Sequence, residues 1–330
     1  MKICVFGAGA VGSHIAVRAH LGGAQTSVVA RGLQLQAIRE RGLRVEAPDG
    51  ELHARVEASD DPGDLGPQDA VIVTVKAPAL ASVARTMAPL LGPETAVVFA
   101  MNGIPWWYFY KEGGEYDGRR LATIDPDGLL WERIGPDRAL GGVVFSACTL
   151  TEPGVVRLAG AKNRLVIGEP DGADSARAAN IADTLTRGRL ETQVSTAIRT
   201  VVWSKLLNNI ASGIMAILTQ CPVDRIAAEP PCEQAMRAML VEAIEVAKAH
   251  GCDPMAEIDS VIAFMKKLAH KPSILQDLER GSLMEIEATY GVVLRLAEMV
   301  HVATPTLDLM VTLARLRAEA AGLLGTPQRA

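Results

Sequence analysis

Several small groups of residues in this 330-residue chain have the types and spacing to do chemistry. The first is Gly7-Ala8-Gly9-Ala10-Val11-Gly12, which follows the apolar run Lys2 to Phe6. In a G-x-G-x-x-G turn between a strand and a helix, the first glycine permits the tight turn and the second lets the backbone approach a diphosphate. The third lets helix and strand pack closely. The helix that follows, expected from Val11 to His20, would present free N–H groups and its positive dipole end to the phosphates. Gly7, Ala8, Gly9, Ala10, Val11 and Gly12 are thus the expected cofactor-binding turn. The next apolar run, Thr26 to Ala30, ends in Arg31, where a site for NAD needs a carboxylate to hold the ribose 2′-hydroxyl. A guanidinium suits a 2′-phosphate instead, so the expected cofactor is NADP (NADPH). A solvated arginine at a strand end is the plainer alternative.

Two more candidates stand at the ends of apolar runs. Lys76 follows Ala70 to Val75, and Asn102-Gly103 follows Ala96 to Ala100 and Met101. In an open α/β sheet, ligands bind beyond the carboxyl ends of the strands, so both positions are candidates for cofactor contacts. A solvated lysine and a plain turn dipeptide are the alternatives. Much later, Lys205 and Asn209 lie four apart in an apolar helical pattern and share a face, while Asn208 points elsewhere. Such groups are costly to bury without partners, which a substrate carbonyl and hydroxyl would provide; alternatively Lys205 snorkels to solvent. A last cluster is Ser273-Ile274-Leu275-Gln276-Asp277 with Glu285-Ile286-Glu287, where Glu285 also suits a helix start.

The elements that must position these groups fall into two halves. Strands are expected at Lys2 to Phe6, Thr26 to Ala30, Ala70 to Val75 and Ala96 to Ala100, alternating with helical segments as in a parallel sheet covered on both faces. Leu43 to Ala47 and Glu51 to Ala58 flank Pro48-Asp49-Gly50 as a hairpin. Gly141 to Ala147, Gly154 to Leu158 and Leu165 to Gly168 are expected to complete the sheet as an antiparallel edge. From about residue 195 the pattern is helical: Thr196 to Gln220, Cys232 to His250, Ala256 to Ala269, Ser273 to Arg280, Glu285 to His301 and Thr306 to Ala321. The expected fold is an α/β Rossmann-type dinucleotide-binding domain, residues 1–194, followed by an all-α helical domain, residues 195–330. The active site is expected in the cleft between them.

Composition excludes several other classes. The formal net charge is −5, and the basic residues are scattered, which argues against a nucleic-acid partner. Five cysteines, Cys4, Cys148, Cys221, Cys232 and Cys252, are widely spaced without ligand pairs; they are expected as buried apolar residues of a reducing, cytoplasmic protein with no metal. No apolar run approaches 18 residues without a charge, so no membrane span is expected.

Taken in order, the Gly7 to Gly12 turn, Val75-Lys76-Ala77, Asn102-Gly103, Trp203-Ser204-Lys205-Leu206 and the Ser273 to Glu287 cluster make a chain that resembles the ketopantoate reductase family over nearly its whole length. The resemblance implies NADPH-dependent reduction of 2-dehydropantoate (ketopantoate) to (R)-pantoate in pantothenate biosynthesis. It implies that Lys205 is the general acid, and that Glu285 binds near the cofactor and orients Lys205. Asn102 would meet nicotinamide and substrate, Asn209 a substrate hydroxyl, and Ser273 the carboxylate, while Cys148 would be the small residue at the cofactor. The chemistry is consistent: hydride addition to a 2-keto acid builds charge on oxygen, and a protonated lysine supplies both charge and proton.

Two departures bear on the substrate. Where the family usually has further asparagines, this chain has Gly213 and Val223, which suggests a larger or more apolar substrate and keeps a paralogue reducing another branched or aromatic 2-keto acid as an alternative; a non-catalytic NADP-sensing protein is the alternative from another class. The stretch Ile104 to Arg138 also carries Trp106-Trp107-Tyr108-Phe109-Tyr110, expected as a packed connection or a homodimer contact rather than a wall of the substrate pocket.

Overall fold

The computed structural model describes residues 1–48, 50–160 and 163–324. Asp49 of the expected hairpin turn lies outside the described residues, as do 325–330 of the helical segment. The chain forms two compact units, residues 1–101 with 105–198, and residues 102–104 with the chain from Arg199 onward.

The first unit runs β1 (Lys2–Phe6), α1 (Ala10–Leu21), β2 (Gln25–Val29), α2 (Gly32–Arg41), β3 (Leu43–Ala47), β4 (Gly50–Ala54), β5 (Glu57–Ser59) and β6 (Gln68–Val73). It continues through α3 (Leu80–Thr86), β7 (Leu91–Ala100), α4 (Leu129–Arg133), β8 (Ala139–Phe145), β9 (Cys148–Glu152) and β10 (Val155–Leu158), then β11 (Arg164–Gly168), α5 (Ala176–Arg187) and β12 (Glu191–Val194). Eight strands make one sheet in the order β12-β11-β8-β7-β6-β1-β2-β5. From β5 to β8 every pairing is parallel, and this stretch has the 3-2-1-4-5-6 strand order of doubly wound dinucleotide folds. The central strands are covered on both faces, so Ile3, Cys4, Val5 and Ala70 to Val73 are fully buried, and their sequence is apolar without alternation.

The antiparallel edge is present, but it is smaller than expected. β11 runs antiparallel to β8, and β12 joins it in parallel. Gly154 to Leu158 is not part of this edge. β10 instead belongs to a second sheet of order β4-β3-β10-β9, parallel to β3 and antiparallel to β9. The expected strand Glu51 to Ala58 divides as well: β4 returns on β3, and β5 joins the edge of the large sheet beside β2. Helix α1 packs on strands of both sheets, and Gly12 to Ala19 are all buried. A helix enclosed in this way has no use for a polar stripe, and this one has none.

The aromatic run is a packed connection inside this unit. Trp106, Trp107, Tyr108 and Phe109 are almost completely buried, and Trp106 meets Phe99 and Trp131 edge to face at centroid distances of 5.4 and 6.0 Å. A Cβ on Gly141 of β8 would lie 2.7 Å from the Trp107 ring, so that glycine makes room for the indole. Cysteine burial is uneven: Cys4 and Cys252 are buried, Cys148 and Cys232 partly so, and Cys221 is exposed, contrary to the expectation of five buried thiols.

The second unit is helical, with α6 (Ile198–Thr219), α7 (Val223–Ala227), α8 (Pro230–Ala249), α9 (Ile258–Met265) and α10 (Ser273–Glu279). A π-helical turn, Glu287–Gly291, leads into α11 (Val292–Met299), and α12 (Pro305–Ala320) follows. By length and mean hydropathy, 1.4, α6 would pass as a membrane span, but 67% of that window is buried in the protein, as in a core helix. The Glu242 carboxylate of α8 accepts from the N–H groups of Thr306 and Leu307 at 2.9 and 2.8 Å, satisfying donors that the first turn of α12 leaves open.

Candidate functional site

The glycine turn behaves as its spacing requires. Gly7 has φ +105°, open to glycine and strained for other residues, and its carbonyl oxygen accepts from Thr74 Oγ1 at 2.6 Å. A Cβ on Gly12 would lie 2.0 Å from that same carbonyl oxygen, so α1 and the turn touch backbone to backbone. Gly9 differs from both. It is the N-cap of α1 with no side-chain capping bond, and nothing lies within 4 Å of where its Cβ would be. The cradle is therefore rigid behind and open in front, with uncapped N–H donors of α1 facing the opening, which fits a dinucleotide diphosphate.

Sequence reasoning missed the residues that hold this turn. Gln34 on α2 donates to the Ala8 carbonyl oxygen at 2.7 Å, and its own amide oxygen accepts from the Gly154 N–H at 2.9 Å. The buried Ser13 hydroxyl donates to the same Ala8 oxygen at 3.0 Å. Only the folded chain brings Gln34 here, across 26 residues from Ala8 and 120 from Gly154. Arg31 is exposed at the start of α2, immediately past β2, with its guanidinium 3.4 Å from Ser82 Oγ of α3. Lys76 is exposed and opens a short 3₁₀ turn after β6. Cys148 is partly buried at the start of β9, opposite Leu158 in the smaller sheet.

In the second unit, Asn102, Asn209, Ser273 and Glu285 line one cavity of about 340 Å³ that includes space open to solvent. Ser212, Asp277, Thr289 and Tyr290 line it too. Lys205 is partly buried one turn before Asn209 on α6. Asn208 is spent on the helix itself, its amide donating to the Ser204 carbonyl oxygen at 3.3 Å. The Asn102-Gly103-Ile104 segment is held against the π-helical turn: Ile104 N–H donates to the Ala288 carbonyl oxygen at 3.3 Å. Gly103 has φ +82°, and a Cβ there would lie 2.1 Å from the same oxygen. That turn is in its own right pinned to α12, where Arg315 grips the Glu287 carboxylate with bonds of 2.6 and 2.8 Å. Gly291 leaves room for this pair, since a Cβ on it would lie 2.1 Å from Glu287 Oε2.

Neither departure from the family pattern enlarges the cavity. A Cβ on Gly213 would lie 1.9 Å from Tyr290 Oη, so the phenol already fills the space a side chain there would take. Val223 is fully buried at the start of α7, its N–H donating to the His270 carbonyl oxygen at 3.1 Å, and it is not among the lining residues. Tyr290 is 2% exposed. Burial, followed by the Glu285 carboxylate nearby, pushes its hydroxyl pKa well up, so the phenol keeps its proton at neutral pH.

A model described as "Ketopantoate reductase PanE/ApbA" matches residues 3–107, and one for the C-terminal part of the same family matches 197–318. A 2-dehydropantoate 2-reductase of Mesorhizobium japonicum is 38% identical, the match covering 96% of this chain and 97% of that protein. One of Halobacterium salinarum is 30% identical, with 96% and 98% covered. A crystal structure from Ralstonia solanacearum, provisionally described as a ketopantoate reductase, superposes with a TM-score of 0.91 at 38% identity, covering 98% of this chain and 99% of that one. With both halves matched and identity sustained over nearly the full length, the chain belongs to the ketopantoate reductase family, dinucleotide-dependent oxidoreductases that act on CH–OH groups.

Proposed function

We propose that this protein reduces ketopantoate to (R)-pantoate with NADPH, a step of pantothenate biosynthesis, and that Lys205 is the general acid. The observation that carries the reading is that Asn102, Asn209, Ser273 and Glu285, from four separate stretches of sequence, line one cavity. NADPH, when bound, supplies the hydride. Its diphosphate would be held by the turn from Gly7 to Gly12, with Arg31 meeting the 2′-phosphate as a planar donor. Lys76 and Cys148 are the further cofactor contacts of this reading.

The chain's own groups then divide the work. Asn102, Asn209 and Ser273 offer neutral donors and acceptors that hold the keto acid without the cost of burying another charge. As the carbonyl oxygen becomes negative, the Lys205 ammonium stabilises it and delivers a proton from Nζ. Glu285 favours the charged ammonium and so keeps that proton in place. Lys205→Ala is expected to lower ketopantoate turnover by about 100- to 10,000-fold while NADPH binding is retained. Stopped-flow oxidation of NADPH together with fluorescence titration of the cofactor measures both. Turnover at the parental rate would remove Lys205 from this role.

A further inference from the structure

We propose that the Tyr290 hydroxyl is the specificity-determining group of this cavity: it accepts a hydrogen bond from the 4-hydroxyl of the substrate and so selects hydroxylated 2-keto acids. The inference rests on the reading above that ketopantoate is the substrate. Its starting point is an exchange of positions. Gly213 on α6 brings no side chain to the cavity, and the space is occupied by a phenol oxygen delivered from the π-helical turn instead. What the sequence reads as the loss of a polar contact is therefore a polar contact supplied from another element.

The direction of the bond follows from what surrounds the oxygen. Tyr290 Oη donates its single proton to the Asn209 backbone carbonyl oxygen at 3.3 Å. With that donor committed, what Oη can offer to the cavity is a lone pair. A lone pair suits a group that brings its own proton, such as an alcohol, and repels a carboxylate. Tyr290 is buried, so an acceptor left without a partner there costs more than one that solvent can reach. An analogue lacking the hydroxyl leaves it in that state, which is how a site built for a substrate hydroxyl rejects the analogue.

The test compares ketopantoate with 3,3-dimethyl-2-oxobutanoate, the same carbon skeleton without the hydroxyl, in the wild type and in Tyr290→Phe. The readout is the ratio of kcat/KM for the two acids, in which any loss of folded protein cancels. Tyr290→Phe is expected to lower this ratio about tenfold, the value of one net hydrogen bond, with the loss carried mainly by KM because the hydroxyl is remote from the reacting carbonyl. A variant that lowers kcat/KM equally for both acids, or changes neither, overturns the inference while ketopantoate reduction stands. A wild type inert toward both acids overturns the reading of function and this inference with it.

Discussion

At the turn after β1, the groups that would face a ligand are backbone N–H donors of one continuous stretch, while around Asn209 they are side chains brought together from four stretches between residues 102 and 290. The two constructions tolerate change differently. The turn depends on the absence of atoms: Gly12 admits no Cβ because the Gly7 carbonyl oxygen is in the way, and nothing lies within 4 Å of where a Cβ on Gly9 would be. The cavity is lined by side chains from several stretches, and the Tyr290 phenol oxygen stands where a side chain on Gly213 would be.

Substitutions at the two glycines separate folding from binding. Gly12→Ala would gain about 1 kcal/mol of helix propensity. It also sets a methyl group 2.0 Å from a backbone oxygen. The clash wins, and the variant is expected to lose about 2–3 kcal/mol of stability in denaturant unfolding. Gly9→Ala should unfold at the parental denaturant concentration, since its Cβ meets nothing, and yet bind NADPH about 100-fold more weakly. If Gly9→Ala instead unfolds early and keeps its affinity, the cradle is not open where the structure leaves it open.

The next effect is smaller and concerns cofactor choice. Arg31→Ala should weaken NADPH by about tenfold, the worth of one charge-assisted contact, and leave NADH nearly unchanged. Equal effects in isothermal titrations of the two cofactors would return Arg31 to its role as a solvated strand end.

The smallest effect asks whether the helix that carries the cradle is the acid-sensitive element. His14 on α1 is fully buried, and burial, then the neighbouring Arg18 charge, pull its pKa from 6.5 down to about 3. The unfolded chain therefore takes up the proton first. Stability from this group is fully present above pH 6.5 and falls as the pH drops toward 3, by about 1.4 kcal/mol per unit. His14→Leu should flatten that decline between pH 6.5 and 5.5 in denaturant midpoints; an unchanged slope would assign it to other groups.

How much of this could be read from the chain follows the same division. The glycine turn was legible because its three constraints fall within six residues, and the central strands because burial on both faces leaves an unbroken apolar run. Gln34 carried no signal, since its partners are Ala8, 26 residues earlier, and Gly154, 120 residues later. β10 was legible as a strand but not in its sheet, because its partner is β3, more than a hundred residues earlier. Tyr290 was hidden by periodicity: five residues from Glu285, it falls off the face that a 3.6-residue turn assigns, and the π-helical turn alters that count.

The short segment 102–104 has a consequence for anyone who would rearrange this protein. It is counted with the second unit although the chain on either side of it is counted with the first. A chimera joined at residue 199 would therefore take the helices that line the cavity from one parent and Asn102 and Gly103 from the other. The donor of the first half would silently edit the lining of the second half's cavity. Gly103, fitted against the Ala288 carbonyl oxygen, is where such a graft would first fail to close.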